Sequence, residues 1–175
     1  MIMPDKPVVL VIYSSYSGHT EDLAHAIAEG AGEAQNVSAD VKKVTDLKRE
    51  DIENASAYAF GSPTYFSYMS GELKHFFDLT YPHRNMFEGK PAIAFATGEG
   101  GQIKCIESIE GILDLFGLRL ISRTDILYAG LAVQGAPDDN AKKTARSAGK
   151  KLAEAGVDYL CDLKARESGL TIGRR

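Results

Sequence analysis

Residues 15–20 are the stretch of this sequence best suited to hold an anion. The stretch consists of Ser15, Tyr16, Ser17, Gly18, His19 and Thr20. It follows an apolar run and precedes a helical pattern, so its hydroxyls and backbone amides lie at a helix start, where the helix dipole adds about half a positive charge. It contains no lysine, which a Walker A loop needs for the β- and γ-phosphates of a triphosphate. We therefore expect it to bind a single terminal phosphate, mostly through neutral donors.

A purely structural interpretation of this first loop stays open. Ser17 or Thr20 could cap the helix by accepting a backbone hydrogen bond, and Gly18 could simply make the turn. Capping needs one such residue, whereas the loop offers three hydroxyls. In the phosphate-binding interpretation, His19 serves as a donor within the loop rather than as a catalytic base.

Residues 61–71, with the sequence GSPTYFSYMSG, place aromatic side chains beside a second strand end. Gly61 and Pro63 predict an extended turn. The residues that this turn presents are Thr64, Tyr65, Phe66 and Tyr68. Aromatic rings in such a position suit a planar ring system, by stacking or by edge contact. Tyr68 could equally pack into the core of the domain.

Residues 97–102 form a third loop that is rich in glycine. The loop consists of Thr97, Gly98, Glu99, Gly100, Gly101 and Gln102. It does not match the GxGxxG pattern of dinucleotide-binding folds, because the third glycine position falls on Ile103. Three glycines in four residues are more than a plain turn needs, and they allow a flat ligand to approach the backbone closely.

Short apolar runs alternate with helical patterns along the chain. The runs that predict strands are 8–13, 37–44, 57–61, 92–97 and one within 119–129. Three of them are nearly all apolar, as strands covered on both faces must be, whereas the run at 37–44 alternates and is typical of an edge strand. Between the runs, apolar stripes at helical spacing begin at Leu23, Met69, Ile103 and Ala141, and 46–55 predicts a short polar helix.

This alternation predicts an α/β fold: a doubly wound, five-stranded parallel sheet in the order 2-1-3-4-5, with helices on both faces. Ligands of such sheets bind at the carboxyl ends of the strands, so we expect the three loops to lie together there. Two other protein classes of similar topology fit poorly. A response regulator would need an aspartate where Gly61 and Ser62 stand, and a phosphatase would need a cysteine in the first loop.

The composition and charge narrow the function classes further. The 175 residues predict one domain, spanning 1–166, with a loosely ordered tail at 167–175. A net charge of −4 argues against nucleic-acid binding, which usually needs a basic surface. Cys105 and Cys161 belong to no metal-ligand cluster, so we expect no metal and a reducing, cytoplasmic location. Neither a signal peptide nor a membrane span is predicted.

With three loops in register, the chain resembles the flavodoxin-like superfamily, and within it the branch of NAD(P)H:quinone oxidoreductases and NADPH-dependent FMN reductases. The resemblance runs from about Val8 to about Ala155. The SxSGxT loop resembles the loop for the FMN phosphate, GSPTYF resembles the loop that touches the isoalloxazine, and TGEGGQ resembles the loop along its pyrimidine side. The resemblance implies FMN as cofactor, NADPH or NADH as electron donor, and no catalytic side chain, because the flavin carries the chemistry.

The chain departs from this branch at two places. Quinone reductases of this type carry a histidine late in the helix after the third loop, where this chain has Leu115 and Phe116. The segment between Thr80 and Pro91 lacks the large insertions that build tetramers in some relatives. These departures leave the acceptor and the oligomeric state open, with a homodimer among the options.

The third loop contains no aromatic residue, so one face of a bound flavin would stay open. An open face lets a nicotinamide or a quinone stack on the ring, as hydride transfer requires. We therefore interpret the chain as an NAD(P)H-dependent oxidoreductase that passes hydride through FMN to a quinone or a similar small acceptor. Two alternatives remain: a flavodoxin-type electron carrier between redox proteins, and a regulatory flavin-binding module. The modest net charge favours the enzyme, because carriers rely on electrostatic steering.

Overall fold

The computed structural model describes residues 6–121 and 131–168, and a parallel β-sheet organises them. The strands are β1 (Val8–Tyr13), β2 (Ser38–Lys43), β3 (Ala57–Pro63), β4 (Pro91–Gly98), β5 (Arg119–Leu120) and β6 (Ala132–Gln134). Their order is β2-β1-β3-β4-β5, and β6 also pairs with β4. The doubly wound order predicted from the alternation of apolar runs is therefore confirmed.

The burial of each strand follows its sequence pattern. The nearly all-apolar strands β1, β3 and β4 are buried along almost their whole length, since helices cover both faces of the sheet. The alternating strand β2 is half-buried and lies at the edge, as expected. The loops that follow the three central strands thus begin at the ends of buried, paired strands.

Five α-helices lie among the described residues. They are α1 (His19–Gly32), α2 (Arg49–Asn54), α3 (Gly71–Thr80), α4 (Gln102–Leu115) and α5 (Asp139–Glu167), with 3-10 helices at Val44–Asp46 and Tyr81–Phe87. All four predicted stripes and the short polar helix are present, but Met69 precedes its helix, which Ser70 caps, and Ile103 is exposed. No helix in the described part of the chain combines the length and hydropathy needed to cross a bilayer.

The fifth position of the sheet is divided between two short strands. β5 pairs with Pro91 and Ala92 at the start of β4, and β6 pairs with residues 96–98 at its end. The described part of the strand predicted within 119–129 corresponds to β5, and residues 122–129 of that prediction lie outside the described residues. The sequence did not reveal β6, because three residues are too few to show a periodic pattern.

Helix α5 is longer than its apolar stripe predicts. The stripe ends near Ala155, whereas the helix continues to Glu167. The proposed tail at 167–175 falls mostly outside the described residues, so the domain boundary at 166 stays a prediction.

A buried lysine closes the carboxyl end of α2. The Lys90 ammonium lies 3.0 Å from the Tyr58 hydroxyl and 3.4 Å from the backbone carbonyl oxygens of Ile52 and Glu53. The Tyr58 hydroxyl in turn donates to the Ile52 carbonyl at 2.6 Å. Burial lowers the pKa of Lys90 to about 8, against the smaller opposing effect of the Glu53 charge. The fold therefore holds this lysine with a weakened affinity for its proton.

This arrangement predicts that Lys90 stabilises the folded protein more as the pH rises above 8. The unfolded chain keeps the lysine proton until about pH 10, so between these values Lys90 binds its proton more in the unfolded chain than in the folded protein. Relative to Lys90→Met, the free energy of unfolding should then rise by about 2 kcal/mol from pH 8 to pH 10, as measured by urea denaturation of both proteins. The comparison cancels the opposing effect of Tyr13, Tyr58 and Cys105, whose pKa values burial raises. Identical pH profiles of the two proteins would mean that Lys90 does not titrate in this range.

Candidate functional site

The three loops singled out in the sequence follow β1, β3 and β4 and meet at one edge of the sheet. Thr97 links the other two loops directly. Its hydroxyl shares a 2.7 Å hydrogen bond with the Thr20 hydroxyl, and its carbonyl accepts a 2.7 Å bond from the Thr64 amide. The expectation that the three loops lie together is therefore met by hydrogen bonds between them.

The first loop ends in a turn that leaves the helix start without a side-chain cap. Gly18 stands at the N-cap of α1 with a φ of 91°, which favours glycine, and no side chain caps the helix. The Ser15 hydroxyl accepts a 3.1 Å hydrogen bond from the Gly18 amide and so shapes the turn. Of the structural alternative, the capping of α1 by Ser17 or Thr20 is wrong, whereas Gly18 does make the turn. The first amides of α1 keep their capacity to bind an anion.

The side chains of the first loop differ in exposure. Tyr16 and Ser17 are exposed, and Ser15 and His19 are half-buried, whereas the Thr20 hydroxyl is buried against Thr97. A phosphate on this loop would thus meet Ser15, Ser17 and the helix amides first. The hydrogen bond from Thr20 to Thr97 also positions the start of the third loop. The sequence pattern did not predict this second role of Thr20.

Two hydroxyl contacts beneath the first loop were missed in the sequence. Buried Ser14 shares a 2.6 Å hydrogen bond with Ser70, which itself caps α3. The buried Tyr13 hydroxyl donates to Glu21 at 2.6 Å, and its pKa is raised above its usual range, first by burial and then by that carboxylate. Ser14 directly precedes the pattern SxSGxT, so its position in the sequence could have indicated a role at the site. No sequence pattern indicated the Tyr13–Glu21 contact.

The second loop forms a tight hairpin turn. Tyr65 and Tyr68 exchange two 2.9 Å backbone hydrogen bonds, and the residues between them, Phe66 and Ser67, have φ values of 53° and 62°. Positive φ at both central positions defines a type I′ turn, which normally contains asparagine or glycine. The Phe66 ring is fully exposed, and the rings of Tyr65 and Tyr68 are about half exposed. Tyr68 is therefore not a core residue.

Thr64 carries a buried hydroxyl with an unmet hydrogen bond. In the described part of the chain, its Oγ1 is the sole buried side-chain nitrogen or oxygen without a partner of ordinary geometry. It lies beside the Cys105 thiol, whose pKa is raised by burial, with a smaller lowering effect of the Thr64 and Ser62 hydroxyls. An unmet buried hydroxyl costs stability unless a ligand completes it. This orphaned atom therefore fits a loop built around a bound group.

The third loop lies close to the second. A Cβ on Gly98 would come within 2.8 Å of Thr64, and one on Gly101 would come within 2.4 Å of the Ser67 hydroxyl. The Gln102 side chain turns inward and donates to the carbonyls of Gly98 and Val133, so it ties β4 to β6. Glu99 and Gly100 remain exposed, and a Cβ on Gly100 would meet no atom within 4 Å. The open part of this loop is thus its middle.

A cavity of about 340 Å³ lies where the first two loops meet the start of α3. Four of the sequence-predicted site residues line it: Ser15, Tyr16, Pro63 and Tyr65. Its other walls are Ser14, Ser70, Gly71 and Glu72. The cavity is therefore lined by the hydrogen-bonded pair Ser14 and Ser70 and by one tyrosine from each of the first two loops, Tyr16 and Tyr65.

The sheet order and the three linked loops define a flavodoxin-like protein. A family model for NADPH-dependent FMN reductases matches residues 7–127. The chain belongs to this family, which makes it an oxidoreductase with FMN as its cofactor and a nicotinamide as its electron donor.

Relatives of known sequence carry two kinds of name. A flavodoxin of Aquifex aeolicus is 34% identical over 158 residues, covering 83% of this chain and 85% of the relative. An NAD(P)H dehydrogenase (quinone) of Caulobacter vibrioides is 31% identical over 194 residues, covering 85% and 96%. These names describe an electron carrier and an enzyme.

Solved structures share the fold. A flavodoxin from the domain Archaea superposes with a TM-score of 0.74 at 25% identity, covering 86% of this chain and 99% of that one. A WrbA-like flavodoxin from Agrobacterium tumefaciens gives a TM-score of 0.72 at 20% identity, covering 88% and 99%.

Proposed function

We propose that this protein is an NAD(P)H-dependent oxidoreductase that reduces a quinone or a similar small acceptor through FMN. The observation that carries the proposal is the exposed middle of the third loop, where Glu99 and Gly100 offer no ring and no bulky side chain. A flat substrate can reach a cofactor held at this edge, and stacking of two flat rings is the geometry that hydride transfer needs.

The residues present fit FMN at this edge. Ser15, Ser17 and the uncapped amides of α1 would hold the phosphate, with the buried Thr20 hydroxyl behind them. The unmet Thr64 hydroxyl supplies a further polar contact, and the turn at 65–68 supplies aromatic rings.

The loops Pro63–Phe66 and Thr97–Gln102 would hold the ring system itself. When bound, the isoalloxazine accepts a hydride from the nicotinamide and gives two electrons to the acceptor. The chain supplies position and electrostatics: amides of Gly98–Gly101 favour negative charge nearby, and Glu99 opposes it. The reaction converts NAD(P)H, a proton and a quinone into NAD(P)⁺ and a hydroquinone. No side chain need act as acid or base.

We test the proposal with the FMN-loaded protein. NADH or NADPH is mixed with it, with and without a benzoquinone, and nicotinamide oxidation is followed by absorbance. We expect oxidation that depends on the quinone and on FMN. Absence of quinone-dependent oxidation with both nicotinamides would overturn the proposed acceptor.

Covering the open middle of the third loop should slow the nicotinamide reaction. Glu99→Trp places a ring where this loop has none, so we expect reduction of bound flavin by NAD(P)H to slow at least tenfold, while FMN affinity is kept or improved. Anaerobic rapid mixing and an FMN titration measure the two effects. Glu99→Gln is the matched control, since it removes the charge without adding a ring. Equal rates in both variants would place nicotinamide access elsewhere.

An electron carrier is the second candidate, favoured by the similarity to the Aquifex flavodoxin and by the exposed Phe66 turn, which offers an apolar contact to a protein partner. Carriers exchange electrons with proteins and need no nicotinamide contact. Flavin that is reduced slowly by both nicotinamides but rapidly by a redox protein would favour the carrier.

We further propose a reducing, cytoplasmic location, supported by free Cys105 and exposed free Cys161.

A further inference from the structure

Three buried serine residues form a continuous set of hydrogen bonds beneath the first two loops. They are Ser14, Ser62 and Ser70. The Ser14 and Ser70 hydroxyls share a hydrogen bond of 2.6 Å, and the Ser70 amide donates to the Ser62 hydroxyl at 2.8 Å. Ser14 directly precedes the first loop and Ser62 belongs to the second, so these bonds join the two loops. We call this set of three residues the serine bridge.

The serine bridge continues into the backbone of the second loop. The Ser62 hydroxyl donates to the Pro63 carbonyl at 2.7 Å, and the buried Cys105 thiol donates to the same carbonyl at 3.9 Å. The next amide, that of Thr64, donates to the Thr97 carbonyl at 2.7 Å. Both ends of the peptide unit between Pro63 and Thr64 are therefore held by hydrogen bonds. This unit leads into the residues that are proposed to hold the ring of FMN.

The link between the two loops can be broken without unfolding either of them. The turn of the first loop is shaped by the bond from the Gly18 amide to the Ser15 hydroxyl. The hairpin of the second loop is closed by the backbone bonds between Tyr65 and Tyr68. The Ser14 side chain takes part in neither contact. Its hydroxyl therefore acts on the position of one loop relative to the other rather than on the fold of each loop.

The relative position of these loops matters for a ligand that both loops hold. In the proposed function, the first loop holds the phosphate of FMN, and the second and third loops hold its ring. A ligand held at two places gains affinity from the connection between them only while the spacing of the two binding elements matches its own. A ligand that only the ring loops hold is insensitive to this spacing.

We propose that Ser14 and Ser70 are positioning residues for FMN. Their hydrogen bond holds the phosphate loop and the ring loop at the spacing at which one FMN molecule binds both. The inference rests on the placement of FMN in the proposed function, but it is independent of the electron acceptor and of the nicotinamide. It assigns to two buried serines a role that depends on the phosphate without contact to it.

Ser14→Ala tests the proposal, because it breaks the bond to Ser70 and leaves the cap of α3 in place. Titration of the apoprotein should show FMN affinity about tenfold lower, as expected for one buried hydrogen bond, and riboflavin affinity changed less than twofold. Ser56→Ala is the matched control. Ser56 is equally buried, but it bonds to the backbone of Val8 at the opposite end of the sheet, so both affinities should be kept.

Three results of this titration would overturn the proposal. The first is unchanged FMN affinity in Ser14→Ala. The second is a loss of riboflavin affinity as large as the loss of FMN affinity, which would mean damage to the ring loops. The third is equal affinity of the unmodified protein for FMN and riboflavin, because the phosphate would then contribute no second contact.

A double-mutant cycle separates the bond from the cap that Ser70 also provides. Ser70→Ala should lower the ratio of FMN to riboflavin affinity, and it should lower that ratio no further in a chain that already carries Ser14→Ala, since both changes break one bond. Ser70→Thr keeps a hydroxyl and should keep the ratio. Fully additive losses would overturn the proposal. These results in a protein that transfers no electrons from NADH or NADPH to a benzoquinone would support the serine bridge and overturn the proposed acceptor.

Discussion

Alanine at both Ser15 and Thr20 is expected to weaken FMN binding by two to four orders of magnitude. The two hydroxyls flank the uncapped start of α1, where the phosphate is proposed to bind. Loss of a neutral donor to a charged group costs about 1.5–3 kcal/mol, and the two losses together give this range. Isothermal titration of the apoprotein with FMN measures it.

Two controls separate phosphate binding from loop structure. Riboflavin has no phosphate, so its affinity should fall in the double variant by no more than the loss of the Thr20–Thr97 bond causes, far less than the affinity for FMN. Thr97→Val removes the 2.7 Å bond to Thr20 but leaves the Thr20 hydroxyl in place, so it should weaken FMN binding by much less. Unchanged FMN affinity in the Ser15/Thr20 variant would mean that the phosphate binds elsewhere.

The sequence predicted the sheet because its signals are local. The runs at 8–13, 57–61 and 92–97 are nearly all apolar, which is typical of strands covered by helices on both faces. Because parallel strands need right-handed crossovers, the order of the sheet and the common position of the three loops followed. The short strand β6 depends on pairing with β4, and no local pattern announces it.

The contacts within the site were not predictable in the same way. The Thr20–Thr97 bond joins residues 77 positions apart, and either hydroxyl alone resembles an ordinary polar residue. The φ values of Phe66 and Ser67 contradict local preference, because type I′ turns normally contain asparagine or glycine at these positions. Gln102 is predicted as a ligand contact by its place in TGEGGQ, but the sequence did not show that its side-chain amide donates to the carbonyls of Gly98 and Val133. Such roles depend on contacts between residues that are distant in the sequence. The spacing of residue types along the chain does not predict these contacts.

Alanine at Gly149 or at Gly30 is expected to cause the largest loss of stability of any single methyl added to the described helices. Both glycines lie where α1 crosses α5. A Cβ on Gly149 would come within 1.9 Å of the Ile27 carbonyl oxygen, and one on Gly30 within 1.9 Å of the Arg146 carbonyl oxygen. These neighbours are backbone atoms, which cannot move aside without separating the helices. We expect each variant to lose about 3 kcal/mol of unfolding free energy, measured by urea denaturation.

Gly111→Ala is the matched control for this prediction. Gly111 is exposed on α4, and a Cβ there would meet no atom within 4 Å. Alanine favours helix over glycine, so this variant should gain about 0.5–1 kcal/mol. Glycine to alanine is thus expected to lower the free energy of unfolding at Gly149 and to raise it at Gly111. At Gly149 the clash with the Ile27 carbonyl outweighs the gain in helix propensity. At Gly111 no clash opposes that gain. A gain in stability for Gly149→Ala would show that α1 and α5 are further apart than the structure places them.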